Sequence, residues 1–256
     1  MATFRQLADE AINSLTTEHL RRYAHHGSMI ALDYRDPRVA DSLIHPDIRS
    51  AFTRLGLADV RWLSGYVIGK PAHSPALWWH QDWWAWNEDV SHAPLAPQIF
   101  LMVYLDDTSP ENGCLRVIPG SHRRGHFLHG VLPPAHGEEM ERLEADHPAY
   151  AHQNGERDVP VRAGDLVVGD ARLLHATHPN RTDKPRRCVT LWYLPDFSRL
   201  PAGFRHFYSQ HPSQPPAGAC GKDAPSAALI PWLPDYQGPP APAPEFNRSP
   251  SPRAGA

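Results

Sequence analysis

The residues best suited to chemistry lie in Leu77-Trp-Trp-His80-Gln-Asp82-Trp-Trp-Ala-Trp86. In a strand, residues i and i+2 share a face, so His80 and Asp82 project side by side. An imidazole nitrogen and a carboxylate oxygen at that spacing can take two adjacent corners of an octahedral metal. A second histidine from another strand would complete a facial set of two histidines and one carboxylate. Such a set suits non-haem Fe(II) and leaves three positions open for cosubstrate and oxygen. A lone HxD pair is a weak signal in a chain with 17 histidines.

The third ligand is sought in Gly169–Arg187. An apolar strand runs into His175, a turn follows (His178-Pro-Asn-Arg-Thr-Asp-Lys-Pro185), and a second strand starts at Arg186. The turn is expected to fold the second strand back on the first and bring Arg186 beside His175. A guanidinium there could grip a dicarboxylate by a planar fork, where a lysine offers only a point charge. His178 is the rival ligand. It sits in the turn beside Pro179, a less rigid place than the strand position of His175. Asn112-Gly113 followed by alternating apolar residues predicts a hairpin. Pro119-Gly120-Ser121-His122 predicts a second tight turn, with His122 a turn-stabilising residue rather than a ligand.

The elements that must position these residues read as helices first and strands after. Leu15–Gly27 and Asp47–Leu57 have helical patterns. Met29–Leu32, Val60–Lys70, Gln98–Leu105, Gly113–Ile118, Asp165–Val168 and Arg187–Leu194 read as strands, rich in Val, Ile, Tyr and Trp. One helical pattern, Gly137–Ala145, interrupts them. The fold class is mainly β, a jelly-roll-like sandwich with helices packed outside it. Residues 1–237 are expected to form a single domain. The connection 123–160 is long enough to act as a lid. Twelve of the 28 prolines fall after His211, and 238–256 reads as a Pro/Ala-rich flexible or surface-draped tail.

Composition excludes several classes. Lys and Arg number 25 against 28 Asp and Glu, for a net charge of −3, so no basic field for nucleic acid exists. Three cysteines, far apart and without a CxxC pair, exclude a disulfide framework or zinc ribbon and predict a reducing, cytoplasmic setting. The first twenty residues lack the apolar stretch of a secretory signal, and no run approaches 18 apolar residues, so no membrane span is expected. The expected partner is a small-molecule substrate, with oligomeric state open.

Taken together, Trp79-His80-Gln81-Asp82, the segment Asn112 to His122, His175-Ala-Thr-His-Pro-Asn180 with Arg186, and the opening Leu15–Gly27 resemble the phytanoyl-CoA dioxygenase family of Fe(II)/2-oxoglutarate-dependent oxygenases. The resemblance runs from about residue 15 to 195 and is specific because the motifs occur in this order. It implies a double-stranded β-helix of the cupin-like, jelly-roll kind. It implies Fe(II) held by His80, Asp82 and His175, with 2-oxoglutarate and O2 as cosubstrates and succinate and CO2 released. Arg186 would bind the far carboxylate of 2-oxoglutarate with help from Thr177, Arg187 being the alternative one residue out of register. Tyr66 and Met102 match positions that face the cosubstrate. An acyl-CoA substrate is disfavoured, because Arg123-Arg124 is too small a basic cluster for a CoA diphosphate. Halogenation is disfavoured because Asp82 fills the position a halide would need.

If the strand continues past Asp82, Trp84 and Trp86 extend the face of the ligands while Trp83 points away. Indole faces beside an open metal site suit a ring-bearing, hydroxylated substrate. The chain is similar to the family's orthosomycin-type oxygenases, which implies a natural-product substrate such as a sugar, aminoglycoside or oligosaccharide antibiotic intermediate. The rival readings are a metal-dependent hydrolase, which leaves Arg186 unexplained, and a non-catalytic binding module, which leaves an intact ligand set unexplained.

Overall fold

The computed structural model describes residues 1–22, 28–135, 138–144, 146–216 and 218–249. In chain order the elements are α1 (Ala2–Asn13), α2 (Thr17–Arg22), β1 (Ser28–Ala31), α3 (Pro37–Leu43), α4 (Pro46–Arg54), β2 (Arg61–Lys70), β3 (Leu77–His80), β4 (Ile99–Tyr104), β5 (Leu115–Val117), α5 (Glu138–Glu141), β6 (Arg157–Val159), β7 (Leu166–Asp170), β8 (His175–Thr177), β9 (Arg186–Leu194) and α6 (Ala202–Ser209). The strands form two antiparallel sheets, ordered β1-β2-β9-β4-β7 and β3-β8-β5-β6. The expected jelly-roll architecture with flanking helices is present. No helix among the described residues is long and apolar enough to cross a membrane.

Strand alternation divides the larger sheet into two faces. Val67, Leu101, Val189 and Leu191 turn outward into one apolar core with Phe4, Leu7 and Ala8 of α1, Val39 and Leu43 of α3, and Ile48 and Phe52 of α4. The opposite face, bearing Ile68, Lys70, Met102, Arg186 and Trp192, looks toward the smaller sheet and lines a cavity. The helices are therefore a cover for the outer face, and they leave the inner face to chemistry.

Several expectations need correction. The helix placed at Leu15–Gly27 is the short α2, and 23–27 lies outside the described residues. α1, unexpected, was legible in the 3.6-residue spacing of Phe4, Leu7, Ala8 and Ile12. α3 carried a start signal, with Asp36 accepting from the Arg38 amide and Pro37 in the first turn. The helix expected at Gly137–Ala145 is the single turn α5, with Gly137 and Ala145 outside the described residues. β7 does not run into His175; it ends at Asp170, and His175 opens β8 instead.

β8 and β9 do not form a hairpin either. They belong to different sheets, so Arg186 reaches the cavity from across it. Likewise Asn112-Gly113 is no hairpin tip, because β4 and β5 lie in opposite sheets. The Asn112 side chain accepts from the Ser109 amide and donates to the Asp107 carbonyl, and Gly113 takes φ +90°. A Cβ there would meet Lys70 Cδ at 2.6 Å and the His178 carbonyl at 3.0 Å. Only glycine fits both that angle and that approach.

The segment 123–160 returns to the smaller sheet through β6. A buried Arg116–Glu156 pair fastens it (2.7 Å), with the Arg116 guanidinium lying 4.8 Å from the Trp79 ring centre. Trp79 also donates its indole N–H to the Ala151 carbonyl.

One position under the cavity tests this packing. A Cβ on Gly169 of β7 would sit 2.1 Å from Phe100 Cζ, whose ring lies 5.1 Å from that of His175. Gly169→Ala should therefore overpack the cavity floor and cost about 1–3 kcal/mol. Thermal melting should show a fall of about 2–10 °C; an unchanged midpoint would mean Phe100 moves aside freely.

Candidate active site

His80 and His175 face each other in register on β3 and β8, their ring centres 4.2 Å apart. Asp82 lies just past the end of β3. Its amide and that of Trp83 both donate to the Ala171 carbonyl at 2.9 Å, which ties this segment to the loop before His175. Arg172 locks that loop through Asp170 (2.6 Å) and the carbonyls of Ser91 and Ala93. The result brings His80 Nε2 to 3.9 Å from Asp82 Oδ1 and His175 Nε2 to 3.9 Å from Asp82 Oδ2. One ligand atom from each of the three residues lies within 4.8 Å of the others.

The outer atoms of the imidazoles are held by carbonyls. His80 Nδ1 meets the Trp78 carbonyl at 3.0 Å and His175 Nδ1 meets the Leu173 carbonyl at 2.9 Å. A carbonyl only accepts, so each Nδ1 carries a proton and each Nε2 is the ring nitrogen turned toward Asp82. Trp192 donates its indole N–H to Asp82 Oδ2 at 3.1 Å. Two imidazole nitrogens and a steadied carboxylate on one side of a cavity fit an Fe(II) ion.

The cavity lies between the sheets. Arg186 enters it from β9, 2% exposed, with Nη2 donating to the Gly113 carbonyl (2.9 Å) and Nη1 meeting Cys188 Sγ (3.2 Å). No carboxylate pairs with it among the described residues, and its Nε and Thr177 Oγ1 are buried without a hydrogen-bond partner. Arg187 points to the outer face and pairs with Asp106 and Asp9. Met102 lines the cavity, as expected.

Lys70, which sequence reasoning passed over, lines it too, directly opposite Arg186 in the β2–β9 register and 1% exposed. Burial and the neighbouring Arg186 push its ammonium down to about 7. Two buried cations, an orphaned hydroxyl and an orphaned guanidinium N–H fit the far carboxylate of 2-oxoglutarate.

Tyr66 is not among the residues of this cavity. It shares the face of Ile68 and Lys70 but lies two and four residues nearer the mouth, about 7 and 13 Å along the strand. There it lines a second, open cavity of about 750 Å³ with Asp82, Trp84, Trp192, Phe207, Phe246 and Arg248 among others. Trp192 borders both cavities. It was findable, since Arg186, Cys188, Thr190 and Trp192 alternate onto one face.

The tryptophans after Asp82 depart from strand alternation because β3 ends at His80. Trp84 reaches the outer cavity, but Phe246 stacks on it (5.9 Å, 20°), Phe207 lies 5.0 Å away, and its N–H goes to Tyr208. Trp86 is 5% exposed, packs near His92 and His129, and lines neither cavity. Trp83 is fully buried, stacked on Phe204 with its N–H on Ser91 Oγ. The rival ligand His178 turns away from the triad to Asp158 (2.7 Å) and lies with Cys114 in a separate cluster. In the 123–160 segment, His129, Leu132, Pro133 and Ala135 close a small cavity against His80.

Comparison with known proteins follows this geometry. The sequence model described as Phytanoyl-CoA dioxygenase (PhyH) matches residues 5–188. The phytanoyl-CoA dioxygenase domain-containing protein 1 of Mus musculus is 31% identical over 163 residues, 63% of this chain and 54% of that one. The L-proline trans-4-hydroxylase of Streptomyces griseoviridis is 33% identical over 160 residues, covering 57% and 56%. The chain thus spans about half the length of these curated relatives. The crystal structure of EctD from S. alaskensis with 2-oxoglutarate and 5-hydroxyectoine matches with a TM-score of 0.53 at 18% identity, over 77% of this chain and 68% of that one. That is a likeness of fold.

Two substitutions separate ligand from scaffold. Asp82→Ala should remove Fe(II) retention, measured as metal bound per chain after desalting, while the fold persists. Trp83→Ala should keep metal binding but lose about 3–5 kcal/mol of stability in denaturant unfolding. Retained metal in the first variant, or unchanged stability in the second, would contradict these assignments.

Proposed function

The chain belongs to the phytanoyl-CoA dioxygenase family, and on that premise we propose that it is an Fe(II)- and 2-oxoglutarate-dependent dioxygenase. The proposed reaction oxidises a C–H bond of a small, ring-bearing, hydroxylated molecule and releases succinate and CO2. The observation that carries this reading is the pairing of Lys70 with Arg186 in a buried cavity that also holds the His80–Asp82–His175 set. Arg186 is 2% exposed with its Nε unbonded, and a buried guanidinium is stabilised by an anion, so this end of the cavity suits an incoming carboxylate. A hydrolase would leave the unbonded Nε of Arg186 and the unbonded hydroxyl of Thr177 without a task.

Fe(II) and 2-oxoglutarate, when bound, supply the activation of O2 and the oxidising power. The protein's residues do the rest. His80 and His175 offer Nε2 as ligands and Asp82 a carboxylate oxygen. Trp192 holds the other carboxylate oxygen, so the ligand cannot swing away. Arg186, Lys70 and Thr177 grip the far carboxylate, and Phe100, Met102 and Leu115 exclude water around it. The substrate enters the outer cavity, where Tyr66, Trp192, Phe207 and Phe246 offer ring faces and edges, and Ser64 and Gln98 offer polar atoms. Holding one C–H bond near the metal matters, because a powerful oxidant attacks what lies nearest. A sugar or another saturated hydroxylated ring from natural-product biosynthesis suits such walls. Arg123 donates to the Pro94 carbonyl at the surface and lines neither cavity, so it gives a CoA diphosphate no seat there.

Arg186→Lys keeps the charge and loses the fork, so the 2-oxoglutarate concentration for half-saturation should rise at least about tenfold, roughly 1.4 kcal/mol. Arg187→Lys should change it far less, and the reverse ranking would place the wrong face inward.

The pH dependence follows from Lys70. In the free protein it sheds its proton as pH rises through about 7, with Arg186, Asp82, His80 and His175 as its charged and titratable neighbours across the cavity. The bound carboxylate favours the protonated form. Above pH 7, binding must therefore take up a proton and should weaken by up to about tenfold per pH unit. Calorimetric titration from pH 6 to 9 checks this, and Lys70→Met should flatten the profile. Affinity that is level or rising across that range would contradict the role given to Lys70.

A further inference from the structure

The tail is tied beside the metal ligands. The Asn247 amide donates to the Trp84 carbonyl at 2.7 Å, and its carbonyl accepts from the Trp86 amide at 3.0 Å. Gln81 Nε2 donates to the Arg248 carbonyl at 2.9 Å, and the Glu245 amide donates to Glu88 Oε1 at 2.9 Å. These bonds fasten residues 245–248 along 81–88, the stretch that carries Asp82. Phe246 is thereby held against Trp84 while staying 66% exposed at the cavity wall. Arg248 is held against Asp82, its Nη1 donating to the Asp82 carbonyl at 3.4 Å and its guanidinium lying 5.4 Å from the Phe246 ring centre.

Arg248 has work left to do. It lines both the outer cavity and a narrow cleft beside His80. Its one side-chain hydrogen bond is the long one to a backbone carbonyl, and the Asp82 carboxylate is the anion whose field it feels. Across the cleft stands His129. Its Nδ1 accepts from the His126 amide, so Nε2 carries the proton, and that Nε2 is buried without a partner. A guanidinium and an imidazole N–H thus border the same space beside His80. Fixed donors beside aromatic walls suit an anion attached to a ring.

Resting on the oxygenase reading above, we propose that residues 246–248 form a wall of the substrate cavity and that Arg248 binds an anionic group on the substrate. The substrate class is then a ring bearing a carboxylate, sulfate or phosphate. Its ring lies along Phe246, Tyr66 and Phe207, and its anion lies on Arg248 where that residue lines the outer cavity. Arg248 is a specificity-determining residue, supplied by a tail whose composition marks it as dispensable.

The test uses the full chain, loaded with Fe(II) and 2-oxoglutarate without oxygen, and calorimetry with matched probes: indole-3-acetate against indole-3-acetamide, and glucose 6-phosphate against glucose. The charged member of a pair should bind at least about tenfold tighter. Arg248→Gln should bring the ratio to about one, Arg248→Lys should keep part of it, and a chain ending at Pro244 should lose it. The two Arg248 substitutions, which leave the backbone bonds of residues 245–247 in place, should keep the wild-type affinity for Fe(II) and 2-oxoglutarate. Equal binding of charged and neutral members, or a preference that survives Arg248→Gln, would overturn the proposal. So would a variant in which only metal affinity falls, since Arg248 would then serve Asp82. The loading step reports the oxygenase reading separately: a wild-type chain that binds no 2-oxoglutarate refutes that reading before any probe is added.

Discussion

The structure depends most on how two short strands and two loops of the smaller sheet are fixed to one another. β3 and β8 together span only seven residues, too few to hold a metal site by pairing alone. The Ala171 carbonyl supplies the missing constraint by accepting from the amides of both Asp82 and Trp83. Arg172, next in the chain, is fully buried and bonded to Asp170 and two loop carbonyls, so Ala171 cannot drift. Leu174, just before His175, exchanges backbone and side-chain bonds with Ile118 and Ser121. Three ligands from two segments are thereby set relative to each other by backbone groups, which do not relax as side chains do.

The two sheets divide the chemistry by charge. The smaller one carries the imidazoles and the carboxylate, and the larger one carries Lys70 and Arg186 side by side. Outward-facing residues of the larger sheet are buried by the helices, and this burial offsets the cost of an inner face that holds two cations. The close approach of Gly113 to Lys70 and its carbonyl bond to Arg186 place both cations with backbone precision. A dicarboxylate fits that division, with one end toward the metal ligands and the other toward the cations.

Much of this was legible in the sequence where chemistry is local. His80 and Asp82 are two residues apart, and their shared face follows from strand geometry. His175, Thr177 and Arg186 stood in a recognisable order, and the choice of Arg186 over Arg187 is the side of β9 that faces inward. What escaped was governed by long-range placement. The sheet to which β8 and β9 each belong cannot be read from the turn between them. Lys70 reads as an ordinary polar strand end until its partner across the sheet is known. Trp86 lies away from both cavities because β3 stops at His80 and the chain no longer alternates beyond it, while Trp84 still reaches the outer cavity. Arg248 lay in a segment whose prolines argue against order, and its placement comes from backbone pairing to residues 160 positions earlier.

The central claim is that one cavity binds the metal and the dicarboxylate together. The most direct measurement is an anaerobic calorimetric titration of 2-oxoglutarate into the chain, with and without one equivalent of Fe(II). The account predicts one site per chain, with affinity raised at least about tenfold by the metal and, by linkage, metal affinity raised by the same factor. Equal affinity for 2-oxoglutarate with and without Fe(II) would contradict it, because the His80–Asp82–His175 set and the Lys70–Arg186 pair would then serve separate ligands.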